Sequence, residues 1–535
     1  MDREDRSAAI KQKAKRMKQP FLKVLVRLLF SRLLFTAVVV LLQLGYLYFL
    51  LYRVNEQWKY FMQACNVLAV ILLLIIINSR SNEAYKISWS IIIAAVPLPG
   101  VFMYLLTHLD PINRMSFSRM RTIRERTAGY AVTSQPVRDR IRGEDEDFVK
   151  LAGYLERTGR YAAYDNTEIR YYPFGENVME DMCRELEKAE LFIFIEFFII
   201  AEGVFWGKIL EILEKKADEG VEVRVMYDDL GSMQSLPWRY YKKLRQKGIL
   251  SHVFSPIRPF LSSYYNSRDH RKIMVIDGKV AFSGGINLAD EYINEYRRFG
   301  TWKDNAFRLK GNAVRNYTFM FLQMWDMSNK KNVPENYDRY LDVDIYRTPD
   351  LDNDGFVIPY ADGPHQQDGV AENVYLDIIN SAARNIDIMT PYLVPDNEIL
   401  HALKHAAKSG VEVSLILPYI PDKKIVNLVS KSYYKELIRA GVHIYEYMPG
   451  FVHTKMVAAD HEICSTGTVN LDFRSLYLHY ECGCLIYKNA AVADIEEDFT
   501  KTLDECREIT LEDIHSWTIL FTIVSGVLRV FAPLF

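Results

Sequence analysis

The sequence predicts a duplicated α/β protein whose two lobes share one active site, preceded by N-terminal transmembrane helices. Three observations carry that prediction. The stretch "HRKIMVIDGKVAFSGGIN" from His270 to Asn287 returns as "HTKMVAADHEICSTGTVN" from His453 to Asn470, with His, Lys, Asp, Gly and Asn at identical offsets. Ahead of each copy runs the same succession of β-type and helical patterns. Long charge-free apolar runs occupy the N-terminal region.

Composition sets the bounds. A chain of 535 residues is long enough for two or three domains with large cores. Its formal net charge of −2 excludes binding of polyanions by bulk charge, so any basic surface is local. The six cysteines, at 65, 183, 464, 482, 484 and 506, lack zinc-site spacing and read as reduced thiols. Cys482 and Cys484 read as alternate strand residues on one face rather than a soft-metal pair.

The elements follow in order. Residues 1–32 form a basic cytoplasmic leader, and no small-residue cleavage site follows it, which argues against a cleaved signal peptide. Residues 33–110 form the transmembrane region. Leu33–Tyr52 and Ile87–Thr107 are each about one bilayer long, while Phe61–Ile77 is shorter and carries Gln63 and Asn66, leaving two or three spans. Basic residues flank the region on both sides, from Lys11 to Arg32 and from Arg114 to Arg126, and the catalytic region is expected to be cytoplasmic. Residues 111–150 read as a basic and then acidic linker that includes "GEDED" at Gly143 to Asp147.

The first lobe, 151–345, opens with the β-type "LFIFIEFFII" from Leu191, the helical "WGKILEILEKKADEG" from Trp206 and "VEVRVMYDD" from Val221. The second lobe, 346–512, repeats that order with "NIDIMTPYLV" from Asn385, "NEILHALKHAAKSG" from Asn397 and "VEVSLILPY" from Val411. "YYKKLRQKGILSHVFSP" from Tyr240 likewise parallels "YYKELIRAGVHIYEYMP" from Tyr433. Strand-helix-strand alternation predicts a largely parallel sheet in each lobe, and the two motifs then read as halves of one site. Residues 513–535 form an apolar helix with Trp517 at its start. It either associates with the membrane interface or packs on the body.

Strand parity divides the motif. His270 and Lys272 point to one face and Asp277 to the other, and His453, Lys455 and Asp460 repeat the split. The two aspartates therefore read as structural, although they belong to the six-residue motif set. An ammonium beside an imidazole repels a metal ion but suits an anion. Gly-rich turns then present Asn287 and Asn470, whose amides can donate to phosphate oxygens. Two His, two Lys and two Asn together suit a phosphodiester, one imidazole attacking phosphorus and the other moving the proton.

These two motifs resemble the paired HKD motifs of the phospholipase D superfamily. Within it, "YDDLGS" from Tyr227, "TWKDNAFRLKG" from Thr301, "TPYLVPD" from Thr390 and the terminal "APLF" resemble the bacterial cardiolipin synthases. The resemblance implies phospholipase D-like lobes and a catalytic set of His270, Lys272, Asp277, His453, Lys455 and Asp460. It implies transfer between two phosphatidylglycerol molecules through a phosphatidyl-histidine, with no metal and no other cofactor. It also implies a carboxylate about thirty residues past each motif histidine that orients the imidazole; Asp304 and Glu481 stand at those positions. By analogy His270 is the nucleophile and His453 the acid and base. The partners implied are phosphatidylglycerol and other lipids of a bacterial plasma membrane in which the protein is embedded as a multi-pass protein, with no nucleic acid and with a homodimer left open. Thr468 replaces a motif glycine, which is tolerable unless its φ is positive.

Two other readings stand beside this one. A phospholipase D hydrolase, or a transphosphatidylase acting on another phospholipid, uses the same residues, and water exclusion is a matter of pocket shape. A superfamily nuclease needs a basic groove on a body that is here near neutral. Tyr264, Tyr265 and Trp302, near the first motif, read as core packing or as a wall for headgroup access.

Overall fold

The duplication can be followed strand by strand in a computed structural model, which describes residues 58–79, 82–108, 111–256, 266–329, 334–341, 355–366 and 368–534. The basic leader 1–32, the run Leu33–Tyr52, and Tyr264 and Tyr265 lie outside the described residues.

The first lobe contributes β1 (Thr167–Tyr172), β2 (Phe192–Phe197), β3 (Glu222–Asp228), β4 (Leu250–Phe254), β5 (Lys272–Ile276), β6 (Val280–Gly284), β7 (Thr301–Lys303) and β8 (Ala306–Gly311). The second contributes β9 (Phe356–Asp362), β10 (Asn385–Met389), β11 (Leu393–Val394), β12 (Glu412–Pro418), β13 (His443–Tyr447), β14 (Gly450–Val452), β15 (Met456–Ala459), β16 (Ile463–Gly467), β17 (Leu471–Asp472), β18 (Glu481–Tyr487) and β19 (Cys506–Glu508). The first sheet runs β1-β8-β6-β5-β2-β3-β4. The second, read from its opposite end, runs β9-β18-β16-β15-β10-β12-β13 and adds β19 at the edge.

The expectation of largely parallel sheets is corrected. Within the two large sheets only β2, β3 and β4, and their counterparts β10, β12 and β13, pair in parallel; β5, β6, β8 and β1 pair antiparallel, as do β15, β16, β18 and β9. The reason is local. Between β5 and β6 the central residues of a tight turn, Asp277 and Gly278, have φ of 53° and 66°, and Asp460 and His461 have 57° and 63° between β15 and β16. Positive φ at both centres matches the right-handed twist of a hairpin, so each motif folds back on itself instead of crossing over.

Between the two sheets lies the helix Val314–Ser328, whose side chains are buried on nearly every position. It packs on β2 and β5 of one lobe and on β9 of the other. A helix apolar all round belongs in an interior, and this one joins both lobes into one core.

The expected span Ile87–Thr107 is also corrected, since it is two helices, Glu83–Ala95 and Pro97–His108. Pro97 has no N–H to continue the ladder and keeps the preceding Val96 out of the helical region, at φ −137° and ψ 75°. The two helices touch closely at Gly100, where a Cβ would stand 2.8 Å from Ile93 Cα. Trp58–Ile77 packs on both and exposes Val67, Val70, Ile71, Leu74 and Ile75. Among the described residues no helix is long and apolar enough to cross a membrane. The stretch 111–150 folds onto the body: Met120, Ile123, Val137, Ile141 and Phe148 join its core. Arg119 donates to the carbonyl oxygen of Asp326 at 2.7 Å and Arg124 to that of Gly159 at 2.9 Å.

The C-terminal helix Ile519–Val530 divides its faces between the two expectations. Leu528 and the preceding Trp517 pack on the core, and Arg529 pairs with Glu436 at 3.0 Å. Ile519, Leu520, Ile523 and Val527 remain exposed. Ser88 donates to the Val530 carbonyl oxygen at 2.6 Å, tying this helix to the N-terminal helices. Cys482 and Cys484 are buried free thiols of β18.

Candidate active site

Each motif histidine is held by backbone from the opposite lobe. The His270 amide donates to the Tyr480 carbonyl oxygen at 2.9 Å, and the His453 amide to that of Lys303 at 2.6 Å. For His453 the contact extends a two-stranded sheet in which β14 pairs in parallel with β7, Val452 opposite Lys303. The residue after each accepting carbonyl is a carboxylate, so strand pairing across the lobes delivers Glu481 to His270 and Asp304 to His453.

The contacts are close. Glu481 Oε2 lies 2.9 Å from His270 Nδ1, and Asp304 Oδ2 lies 2.6 Å from His453 Nδ1. This corrects the expectation that each histidine is oriented by the carboxylate of its own repeat; the partners are exchanged between lobes. A carboxylate on Nδ1 fixes the tautomer with the proton there and leaves Nε2 as the reactive atom. Lys455 Nζ also approaches His453 Nδ1, to 2.8 Å, but an N–H given to Asp304 leaves that nitrogen no lone pair, and Lys455 keeps its bond to the His453 carbonyl oxygen. Lys272 likewise donates to the His270 carbonyl oxygen at 2.6 Å.

The half-sites differ at Thr468. Its hydroxyl donates to Glu481 Oε2 at 2.5 Å, whereas the matching Gly285 has no room for a side chain, since a Cβ there would overlap the Asp304 carboxylate. Thr468 is not among the residues with positive φ, so the replacement carries no backbone strain. Gly284 and Gly467, at φ 140° and 158°, allow close approach to the next strand, where a Cβ would stand 2.5 Å from Asn305 O and 2.4 Å from Cys482 O.

Asp277 and Asp460, which strand parity reads as structural and the resemblance counts with the catalytic set, make structural contacts. They stand at the far ends of β5 and β15, five residues beyond each lysine, roughly 16 Å along a strand. Asp277 accepts from the amides of Glu190, Leu191 and Phe192 at 2.8 to 2.9 Å. Asp460 accepts from those of Ala383, Arg384 and Asn385 at 2.7 to 3.1 Å. Each therefore anchors the start of the central strand, β2 or β10, to its motif hairpin.

A cleft of about 300 Å³ between the lobes is lined by His270, His453, Asn287 and Asn470. Asn287 spends its oxygen on the Ile199 amide and one N–H on the Tyr292 hydroxyl, at 2.9 and 2.7 Å, which leaves it one further N–H. Asn470 Oδ1 is buried without a partner. Lys272 and Lys455, each 1 % exposed, sit behind the histidines. Burial pushes Lys272 down to about 8 and Lys455 to about 7. Burial also lifts Asp304 to about 6 and Glu481 to about 7. His270 and His453 fall well below the usual imidazole value, first through burial and then through the two lysines. An electropositive site with neutral imidazoles can take an anion and attack it.

Sequence reasoning missed His479, Lys423 and Arg474, which also line the cleft. His479 lies two residues before Glu481 as Trp302 lies two before Asp304. Its ring is 5.9 Å from that of His270, and the Trp302 ring is 5.3 Å from that of His453. Aligning the repeats backward from the carboxylates finds that pair. Lys423 and Arg474 have no such signal. Asp228, in "YDDLGS", holds the approach to His270 by accepting from the Asp269 amide at 3.2 Å.

Comparison with known proteins agrees with this geometry. The family described as "Cardiolipin synthase, PLD-like domain" matches residues 182–325 and 375–503, and "Phospholipase_D-nuclease N-terminal" matches 67–107. A cardiolipin synthase of Geobacillus sp. (strain WCH70) is 34 % identical over 504 residues, covering 90 % of this chain and 96 % of the relative. An uncharacterized protein of Streptococcus mutans is 44 % identical over 461 residues, covering 86 % and 99 %. The phosphatidylserine synthase of Haemophilus influenzae Rd KW20 superposes with a TM-score of 0.52 at 15 % identity, covering 68 % of this chain and 93 % of that one, a likeness of fold.

Proposed function

The chain belongs to the PLD-like cardiolipin synthase family, and from that premise we propose that it joins two phosphatidylglycerol molecules into cardiolipin and releases glycerol. The observation that carries the reading is the pair of cross-lobe contacts, His270 with Glu481 and His453 with Asp304, facing one cleft. Nε2 of His270 attacks the phosphorus of the first lipid, forming an N–P bond. The bond to the glycerol oxygen breaks as His453, which takes up a second proton on Nε2 once the anionic lipid phosphate is bound beside it, hands that proton to the oxygen. A hydroxyl of the second phosphatidylglycerol then gives its proton to His453 and attacks phosphorus, breaking the N–P bond and restoring His270. Lys272, Lys455, Asn287 and Asn470 stabilise charge on the equatorial oxygens.

Attachment to the membrane is supported by the exposed apolar side chains of Trp58–Ile77 and Ile519–Val530, with Leu33–Tyr52 as a spanning segment. The flanking arginines favour a cytoplasmic active site. Purified protein incubated with radiolabelled phosphatidylglycerol in detergent and chelator should yield cardiolipin and glycerol, and His270→Ala should yield neither. Phosphatidic acid as the main product would make the acceptor water. No lipid turnover at all would reject the reading.

A further inference from the structure

Beside the catalytic cleft lies a second cavity of about 380 Å³, which shares Phe198, Tyr392, Lys423, Asp472, Arg474 and His479 with it. Its polar groups gather at that shared mouth, apart from Arg268, a buried side chain that donates to the Ser255 carbonyl oxygen at 3.1 Å. Away from the mouth the walls are Leu230, Val394, Val426, Val429 and Phe473, with Ala532 among them. The gradient from a polar end, where Lys423 and Arg474 stand beside Asp472, to hydrocarbon is that of an amphiphile's own structure, headgroup at one end and acyl chain at the other. An open recess of this size lined by aliphatic side chains leaves hydrocarbon facing water, a surface that an apolar ligand would cover.

The chamber also has a side. Phe198 and His479 are on its wall, with rings 5.0 and 5.9 Å from that of His270, whereas His453 and Trp302 are not among the residues that line it. Its far wall points toward the apolar exterior. Ala532 belongs to the turn Ala532–Leu534 that follows the C-terminal helix, and Leu534 packs against the N-terminal cluster of Leu72, Ile76, Trp89 and Ile93. This turn contacts Ile519–Val530 directly and Trp58–Ile77 through Glu83–Ala95, and both of those outer helices carry exposed apolar side chains.

We propose that this chamber holds acyl chain of the phospholipid whose phosphate His270 engages, so that the donor lipid enters from the side of the N- and C-terminal helices. The assignment rests on the lipid-transfer reading above and adds the location and the identity of the bound half. Lys423 and Arg474 at the mouth then face the ester and phosphate region, and the walls beyond select for chain length.

Full-length protein carrying Leu230→Trp or Val426→Trp tests this, since both positions are only partly buried and accept a larger side chain without opening the core. Two reactions are measured with long-chain and with dihexanoyl phosphatidylglycerol: cardiolipin formation, and exchange of labelled free glycerol into phosphatidylglycerol, which requires the donor half alone. The expected result is a loss of about tenfold or more in both reactions with long chains and a change within about twofold with dihexanoyl lipid. Equal losses with both lipids, or no loss with either, would overturn the proposal. Exchange preserved while long-chain cardiolipin falls would overturn it too, by assigning the chamber to the acceptor. A wild type that makes phosphatidic acid with the same chain-length selectivity would overturn the transferase reading and leave the chamber standing. A wild type inactive on both lipids would overturn both.

Discussion

Glu481 and His270 stand 2.9 Å apart across the lobe interface, 211 residues apart in the chain, and Asp304 and His453 repeat the relation in the opposite direction. Neither lobe owns a complete acid and base. The arrangement follows from backbone pairing, because the carboxylate is in each case the residue after a carbonyl that accepts the histidine's amide. Orientation of the imidazoles is therefore a property of docking.

Glu481→Gln keeps the shape but reverses the donor and acceptor pattern at Nδ1. The expected result is a fall in kcat of about 100-fold or more with KM little changed and thermal stability retained. Asp304→Asn should behave alike. Steady-state kinetics on both variants checks this, and a loss within about twofold in either would remove its carboxylate from the mechanism.

The two histidines should separate in a trapping experiment. With labelled phosphatidylglycerol, His453→Ala should accumulate label on the protein, because the second step lacks its base, and His270→Ala should carry none. Acid-quenched gels read the outcome. Label on His270→Ala and none on His453→Ala would exchange the roles.

A lysine with a lowered pKa carries its charge only below that value. With Lys455 at about 7 and Lys272 at about 8, the empty site loses positive charge as pH rises through that window. Asp304 and Glu481, at about 6 and about 7, gain negative charge over the neighbouring range, with the same sign. Affinity for an inorganic anion such as tungstate should therefore fall by about tenfold or more between about pH 6.5 and about pH 9. Titration calorimetry of the detergent-solubilised protein measures it. In Lys455→Met the lower step should shrink to the part that the carboxylates contribute, and a flat profile in the wild type would contradict the charge assignment.

Asp277→Ala removes the acceptor of three amides and touches nothing in the cleft. Stability should fall by about 2–3 kcal/mol, seen as a lower melting temperature, while turnover per folded molecule stays within about threefold. A large loss of kcat at full stability would return Asp277 to the chemistry.

The duplication and the paired His, Lys and Asn were legible because they are statements about spacing, while the two carboxylates were named only by what the family resemblance implies. Asp277 and Asp460 were legible as structural from strand parity, a rule with a fixed period. What was hidden depends on contacts distant in sequence. The exchange of Asp304 and Glu481 is set by a register between β7 and β14, only three residues long, which no periodicity reveals. The break at Val96 and Pro97 was written in the chain, but an apolar run averaged over its length conceals one proline. The return of β6 against β5 hung on two residues of positive φ, Asp277 and Gly278, outweighed by the alternation around them.

The pairing of β7 with β14 also sets a clock. Asp304 and His453 are 149 residues apart, and a ribosome adding about 5–20 residues per second needs roughly 10–30 s to bring out the second after the first. During that interval the nascent first lobe exposes a short strand with no partner and a motif histidine with no carboxylate. The paired acid and base therefore cannot assemble on a half-made chain, and a chain that stops short of the second lobe carries neither.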